Sequence, residues 1–147
     1  MSLTAVITIG NFEKDSENLK AICESIGSLD LEVIFAMDTQ SIKSEAVLNQ
    51  YCQESGLQDF SILRHHKNNP GTGRNLGLSK ARSDWITFWD SDDLPHPKDI
   101  MNILARTDKT IDVVIGEYIH KGRNIPRQES ASGSEEDLDR RRCCRFS

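Results

Sequence analysis

The sequence predicts an α/β fold, a mostly parallel sheet of about five strands with helices on both faces. Two observations predict it. Short β-branched or aromatic runs alternate with segments whose apolar residues recur at helical spacing, as in successive βαβ units. In addition, the apolar run Trp85-Ile86-Thr87-Phe88-Trp89 breaks off into Asp90-Ser91-Asp92-Asp93, three carboxylates within four residues. Open α/β sheets bind their ligands at the C-terminal ends of such strands.

The elements follow in order. Ala5-Val6-Ile7-Thr8-Ile9 is a first buried strand. Ser16 is expected to cap a helix whose stripe is Leu19, Ile22, Cys23 and Ile26, with Gly27 ending it. Leu31 to Met37 is the second strand, finishing at Asp38. Ser41 or Ser44 opens a second helix carrying Leu48, Tyr51 and Cys52, closed by Gly56. Phe60 to Leu63 is a short third strand, followed by a basic, turn-rich loop from Arg64 to Gly71, and a helix from Thr72 to Arg82. After the fourth strand and the acidic loop, Pro97 suits the first turn of a helix with Ile100, Ile103 and Leu104 on one face. Ile111 to Ile119 is the fifth strand. The strand ends at Ile9, Met37, Leu63 and Trp89 then share one edge, together with Asn11, Asp38, His65, Lys67 and the acidic triplet.

From residue 122 the chain is rich in Ser, Glu, Asp and Arg and almost free of apolar residues, too polar to offset its ordering entropy. The expected organisation is therefore one domain, 1–121, and a polar, disordered tail, 122–147. The 147 residues fit a single core, and the net charge of −5 excludes general nucleic-acid or membrane-surface binding, so no nucleic-acid partner is expected. No apolar stretch reaches the length of a membrane span, no signal peptide is visible, and Met1-Ser2-Leu3 reads as a candidate added leader. Cys23, Cys52, Cys143 and Cys144 form no CxxC pair, which argues against zinc. Cys23 and Cys52 read as small buried hydrophobes, and a reduced, cytoplasmic protein is expected. Cys143-Cys144 beside arginines would permit lipidation, against the plainer reading of an unstructured end.

The acidic loop carries the chemistry. Carboxylates this close repel unless a cation lies between them, and a hard divalent cation bound by oxygens is the usual solution. The plain alternative is a solvated helix N-terminus, where acids favour the dipole. Upstream, Asn69-Pro70-Gly71-Thr72-Gly73-Arg74-Asn75-Leu76-Gly77 combines glycines that permit close backbone approach with a helix start that suits an anion. It is neither GxGxxG nor a Walker A motif, and a simple loop-to-helix turn would look the same. His65, His66, His96 and His120 all tempt a metal assignment, His120, just past the fifth strand, being the least implausible, but hydrogen-bonded or exposed roles are the ordinary ones.

Taken together, Gly73-Arg74-Asn75-Leu76-Gly77, Ala81, Trp85 to Trp89, and Asp90-Ser91-Asp92-Asp93-Leu94-Pro95-His96-Pro97 resemble the family 2 glycosyltransferases of the GT-A fold. The resemblance covers roughly residues 4 to 121 and is looser towards the N-terminus. The family usually has two adjacent acids followed by Gly-Ser where this chain reads Met37, Asp38, Thr39, Gln40 and Ser41, so one acid is kept. The resemblance implies a Rossmann-like GT-A domain that binds a UDP- or GDP-linked sugar and passes the sugar to a glycan, lipid or protein acceptor. It implies that Asp38 reads the base or ribose, that Asp90 lies near the ribose and sugar, and that Asp92 and Asp93 hold Mn²⁺ or Mg²⁺ against the diphosphate. Asn11, Lys67, Gly73, Arg74, Asn75 and Ser91 complete the implied donor site, with Arg74, Lys67 and the helix start at Thr72 adding positive potential. The family's second half, with the acceptor site and the acid that deprotonates the acceptor in inverting members, has no visible counterpart after His120. The chain thus reads as a truncated form, a natural short form, or a donor-binding half. Two rivals remain: a non-catalytic nucleotide-binding module, and a haloacid-dehalogenase-type phosphatase with Asp90 as nucleophile and Asp92 as acid/base.

Overall fold

The computed structural model describes residues 2–38, 42–66, 69–108, 110–115, 119–120, 123–124 and 142–145. The elements are β1 (Leu3–Ile9), α1 (Phe12–Ile26), β2 (Glu32–Asp38), α2 (Ile42–Ser55), β3 (Phe60–His65), α3 (Pro70–Lys80), β4 (Trp85–Asp90), α4 (Pro97–Arg106), β5 (Val113–Ile115), β6 (Ile119–His120), β7 (Arg123–Asn124) and β8 (Arg142–Arg145). Six strands form one sheet in the order β3-β2-β1-β4-β8-β5, and every pairing in it is parallel. β6 and β7 make a separate antiparallel pair. The α/β fold expected from the sequence is thus the observed one, with one strand more than expected. That strand is β8, drawn from the segment expected to be a disordered tail. The expected fifth strand corresponds to β5 and the start of β6, while residues 116–118 lie outside the described residues.

β1 is buried along its whole length, as a central parallel strand covered on both faces must be. Its side chains alternate between two cores. Leu3, Ala5, Ile7 and Ile9 join Leu19, Ile22 and Ile26 of α1, Leu48 and Cys52 of α2, and Ile100 and Leu104 of α4. Val6 joins Ile34, Ile86, Ala81 and the partly buried Leu78 on the other face. Helices α1, α2 and α4 therefore cover one face and α3 the other.

Both helices that open onto the site start earlier than the sequence suggested. Asn11 caps α1, its Oδ1 accepting from the Lys14 N–H at 3.1 Å, while the Ser16 hydroxyl meets that of Tyr51 on α2 at 2.8 Å. Asn69 caps α3 by accepting from the Gly71 N–H at 2.8 Å, and Pro70 occupies the first turn, where no donor is needed. α2 ends at Gly56, whose φ of 78° is a left-handed conformation suited to glycine.

Helix α3 rests on the sheet through two glycines one turn apart. A Cβ on Gly77 would lie 2.3 Å from Val6 Cγ1, and one on Gly73 would lie 3.2 Å from Thr8 Cγ2 and 3.0 Å from His65 Nε2. Gly77 has no room for a side chain without lifting the helix, and at Gly73 the Thr8 and His65 side chains would have to give way. Gly77→Ala is expected to destabilise the protein by about 1–3 kcal/mol, the usual cost of overpacking, read as a lower urea midpoint at unchanged slope.

At the far edge of the sheet, Glu32 accepts from the Thr4 hydroxyl, from the Arg82 backbone N–H at 2.9 Å and from Arg82 Nε at 2.7 Å. Burial pushes the Glu32 carboxyl up, but these donors together outweigh it and hold its pKa below the ordinary value. A depressed carboxylate stabilises the fold fully above its unfolded pKa and loses that contribution as pH falls through the folded value. Glu32→Gln is accordingly expected to melt at lower temperature than wild type at neutral pH, with the difference closing in acid; a constant difference across a pH series would contradict this.

Candidate functional site

The C-terminal ends of β1, β2, β3 and β4 open into a cleft of about 250 Å³. Asp38 closes β2 and is buried, in register with His65 at the end of β3. Asn11 and Asn69 bring the starts of α1 and α3 to the rim. The fourth strand delivers Asp90, Ser91 and Asp92.

Asp90 is held from two sides. Thr8, its register partner on β1, donates its hydroxyl to Asp90 Oδ1 at 2.7 Å. Arg74 Nη2 donates to Oδ1 at 2.8 Å and to Oδ2 at 3.0 Å. The glycine-rich and acidic motifs, separate in the sequence, are thus joined by an ion pair. The loop then turns on itself: the Asp93 N–H donates to the Asp90 carbonyl at 3.0 Å, and the Asp90 N–H donates to Asp93 Oδ2 at 2.8 Å. Helix α1 fastens the same loop. The Ser91 hydroxyl donates to Asp15 Oδ2 at 2.6 Å, and Asn18 Nδ2 donates to the carbonyls of Ser91 at 2.8 Å and Asp93 at 2.7 Å. Asp92 projects outward, exposed, and lines the cleft.

Of the residues singled out from the sequence, Asn11, Asp38, Asp90, Ser91 and Asp92 meet at this cleft, with His65. Arg74 reaches it through Asp90. Gly73 does not face it; it is buried against the sheet, and its value is the close packing of α3. Asn75 is exposed and lies off the lining, and so does Asp93, whose carboxylate turns back onto the loop. Lys67 lies outside the described residues. Thr8, Asp15, Asn18 and the capping role of Asn69 are features of the cleft and its supports that the sequence does not single out. Asn69 was readable as a cap before Pro70, and Asp15 and Asn18 share a helix face at i, i+3 spacing.

The family model described as Glycosyl transferase family 2 matches residues 7–144. The chain belongs to glycosyl transferase family 2. The poly(ribitol-phosphate) β-N-acetylglucosaminyltransferase TarP of Staphylococcus aureus is 29% identical over 124 residues, 82% of this chain and 38% of TarP. The GalNAc(5)-diNAcBac-PP-undecaprenol β-1,3-glucosyltransferase of Campylobacter jejuni is 25% identical over 111 residues, 75% of this chain and 36% of that enzyme. This family 2 chain therefore spans well under half the length of these relatives. The crystal structure of S. aureus TarS residues 1–349 superposes with a TM-score of 0.67 at 22% identity, over 86% of this chain and 39% of TarS, a likeness of fold. Membership of family 2 displaces the phosphatase reading, and so does the geometry: an Asp90 with both oxygens held by Arg74 and Thr8 is poorly presented as a nucleophile.

Among the described residues, no three His, Cys, Asp or Glu side chains converge as a ready-made metal cage. A Mg²⁺- or Mn²⁺-type site needs less, since such ions are commonly held by one or two carboxylates with phosphate oxygens and water supplying the rest. Asp92, exposed on the cleft wall, fits that donor set, and Asp90 beside it is half-exposed. Asp93 would have to release the Asp90 N–H to share Oδ2, though Oδ1 remains.

Burial raises the Asp93 carboxyl pKa above its ordinary value; the Asp90 N–H pulls it down, while the charges of Asp90 and Asp92 raise it further. A raised carboxyl contributes its stability below the unfolded pKa and loses it as pH rises through the folded value. Asp93→Asn keeps an acceptor for the Asp90 N–H and removes the charge. It is expected to melt no lower than wild type near neutral pH, with the gap closing in acid, and a variant clearly less stable at neutral pH would refute this account.

Proposed function

We propose that this chain forms the donor-binding part of a family 2 glycosyltransferase, taking a UDP- or GDP-linked sugar together with Mn²⁺ or Mg²⁺. The observation that carries the reading is the cleft's charge. Asp15, Asp38, Asp90 and Asp92 all line it. A diphosphate would be repelled by such a wall unless a cation bridged the two. When bound, that cation stabilises the charge growing on the departing nucleoside diphosphate.

The chain's own residues then divide the work. Asp38, buried at the end of β2, is suited to accept hydrogen bonds from the base or ribose. Arg74 holds Asp90 in place, oriented towards the ribose and sugar. Asp92 takes the cation, with Asp93 as its neighbour once released. Asn11 and Asn69 bring two helix starts, and their positive dipole ends, to the diphosphate side. Lys67, in the loop before α3, adds charge. The sugar's bond to the diphosphate breaks as an acceptor oxygen bonds to the sugar, and the acceptor's proton passes to a base that no described residue is assigned to supply. The acceptor is a glycan, lipid or protein. A cytoplasmic location is supported by the two buried free thiols, Cys23 and Cys52; no described helix is long and apolar enough to cross a membrane.

Asp38, a single acid where the family usually has two, favours one second reading, a donor-binding module that does not itself transfer. Binding without turnover across a panel of acceptors would select it. Titration calorimetry with UDP and GDP tests the main reading. One nucleotide should bind with Mn²⁺ and lose most of its affinity in EDTA, and Asp92→Asn should remove the metal dependence. Failure of both nucleotides to bind with Mn²⁺ present would refute it.

A further inference from the structure

The acidic loop is not held by its own strand alone. Two side chains on the first two turns of α1, Asp15 and Asn18, three residues apart and so on one face, reach across to it. Asn18 spends both hydrogens of its amide on loop carbonyls, those of Ser91 at 2.8 Å and Asp93 at 2.7 Å. Asp15 accepts the hydroxyl of Ser91 at 2.6 Å, and Ser91 is only 4% exposed. The residue between the two pinned carbonyls is Asp92. Its backbone is therefore fixed on both sides while its side chain stands free on the cleft wall. The same loop is tied to the sheet by the Ser91 N–H donating to the Thr8 carbonyl at 3.0 Å.

We infer that Asp15 and Asn18 are positioning residues of the donor site: by clamping the carbonyls and hydroxyl on either side of Asp92, they set where its carboxylate meets a divalent cation on the diphosphate. The inference rests on the donor reading above and adds α1 to it. Neither residue needs to touch cation or nucleotide. Asn18 is kept from doing so by its two loop bonds, and the Asp15 oxygen on the Ser91 hydroxyl is occupied. Removing either clamp frees the loop to spread its carboxylates apart, which costs cation affinity while leaving the buried Asp38 end of the cleft intact.

The test uses the full chain, wild type and Asn18→Ala, Asp15→Ala and Asp15→Asn, with UDP and GDP as probes in Mn²⁺ or in EDTA. Asn18→Ala and Asp15→Ala should each weaken Mn²⁺-supported binding by about 10–100-fold, the usual effect of losing a group that orients a metal ligand. Metal-free binding should not fall in either variant. Asp15→Asn, which keeps an acceptor for Ser91, should stay close to wild type. In the free protein, the amides of Ser91 and Asp93 should exchange faster in Asn18→Ala, a readout independent of any ligand. An equal fall in both conditions would mark a merely structural role and overturn the inference, and so would unchanged affinities or unchanged exchange. Should Asn18→Ala fail to fold, the Asp15 pair decides. If wild type binds neither nucleotide with Mn²⁺, the donor reading falls and takes the inference with it; wild-type binding with unaltered variants overturns the inference alone.

Discussion

The seating of α3 on β1 leaves no room for a methyl group, and the arrangement of the cleft depends on it. Gly73 and Gly77 are both buried against the sheet, and Gly73 packs on Thr8 of β1. Thr8 is itself bonded to Asp90, and Arg74, next along the helix from Gly73, reaches the same carboxylate. Three elements therefore share one fixed corner. A Cβ at Gly77, 2.3 Å from Val6 Cγ1, would lift the helix and draw the Arg74 guanidinium away from Asp90. Loss of that partner would leave a half-buried carboxylate beside two others, where like charges in a reduced dielectric repel most. The tight packing of an apolar face is thus also what permits the acidic cluster at the edge.

That cluster is less uniform than a run of acids implies. Asp90 is neutralised by Arg74, and Asp15 is engaged by Ser91. Asp93 turns inward onto a backbone N–H, in surroundings that favour its protonated form. Of the acids on the loop and on α1, Asp92 is the one that, among the described residues, faces the cleft with an unshared carboxylate. Hydrogen bonds hold three of these acids still, and the fourth is flanked by fixed backbone.

The strands β1 to β4 and the shared edge were legible because period and punctuation are local signals. Leu19, Ile22, Cys23 and Ile26 announced the buried face of α1 correctly. The helix starts were less legible: Asn11 and Asn69 read as loop residues until their side chains are seen on Lys14 and Gly71 N–H groups. The glycines after Asn69 were legible as a need for close approach, but not the partner. Sequence pointed to a ligand, whereas Val6, Thr8 and His65 are what Gly73 and Gly77 approach. Thr8, Asp15 and Asn18 were invisible for a different reason. Each looks like an ordinary strand or helix-surface residue, and its importance comes from partners more than seventy positions away. Spacing rules carry no information over that range.

The end of the chain shows the same limit from the side of composition. Averaged over 122–147, the segment reads as too polar to bury a core. That argument does not hold for a four-residue strand, whose stabilisation comes chiefly from backbone groups paired on both sides. β8 lies between β4 and β5, with Cys143 in register with Ile86 on one side and Val113 on the other. Its insertion turns β4 from an edge strand into an interior one, paired with β1 along one side and β8 along the other. The first half of β4, Trp85 to Thr87, is thereby paired along both of its hydrogen-bonding edges, while the half from Phe88 to Asp90 that leads into the acidic loop pairs with β1. Residues far beyond the motif, in a stretch that composition alone would discard, thus complete the sheet from which the motif's strand springs.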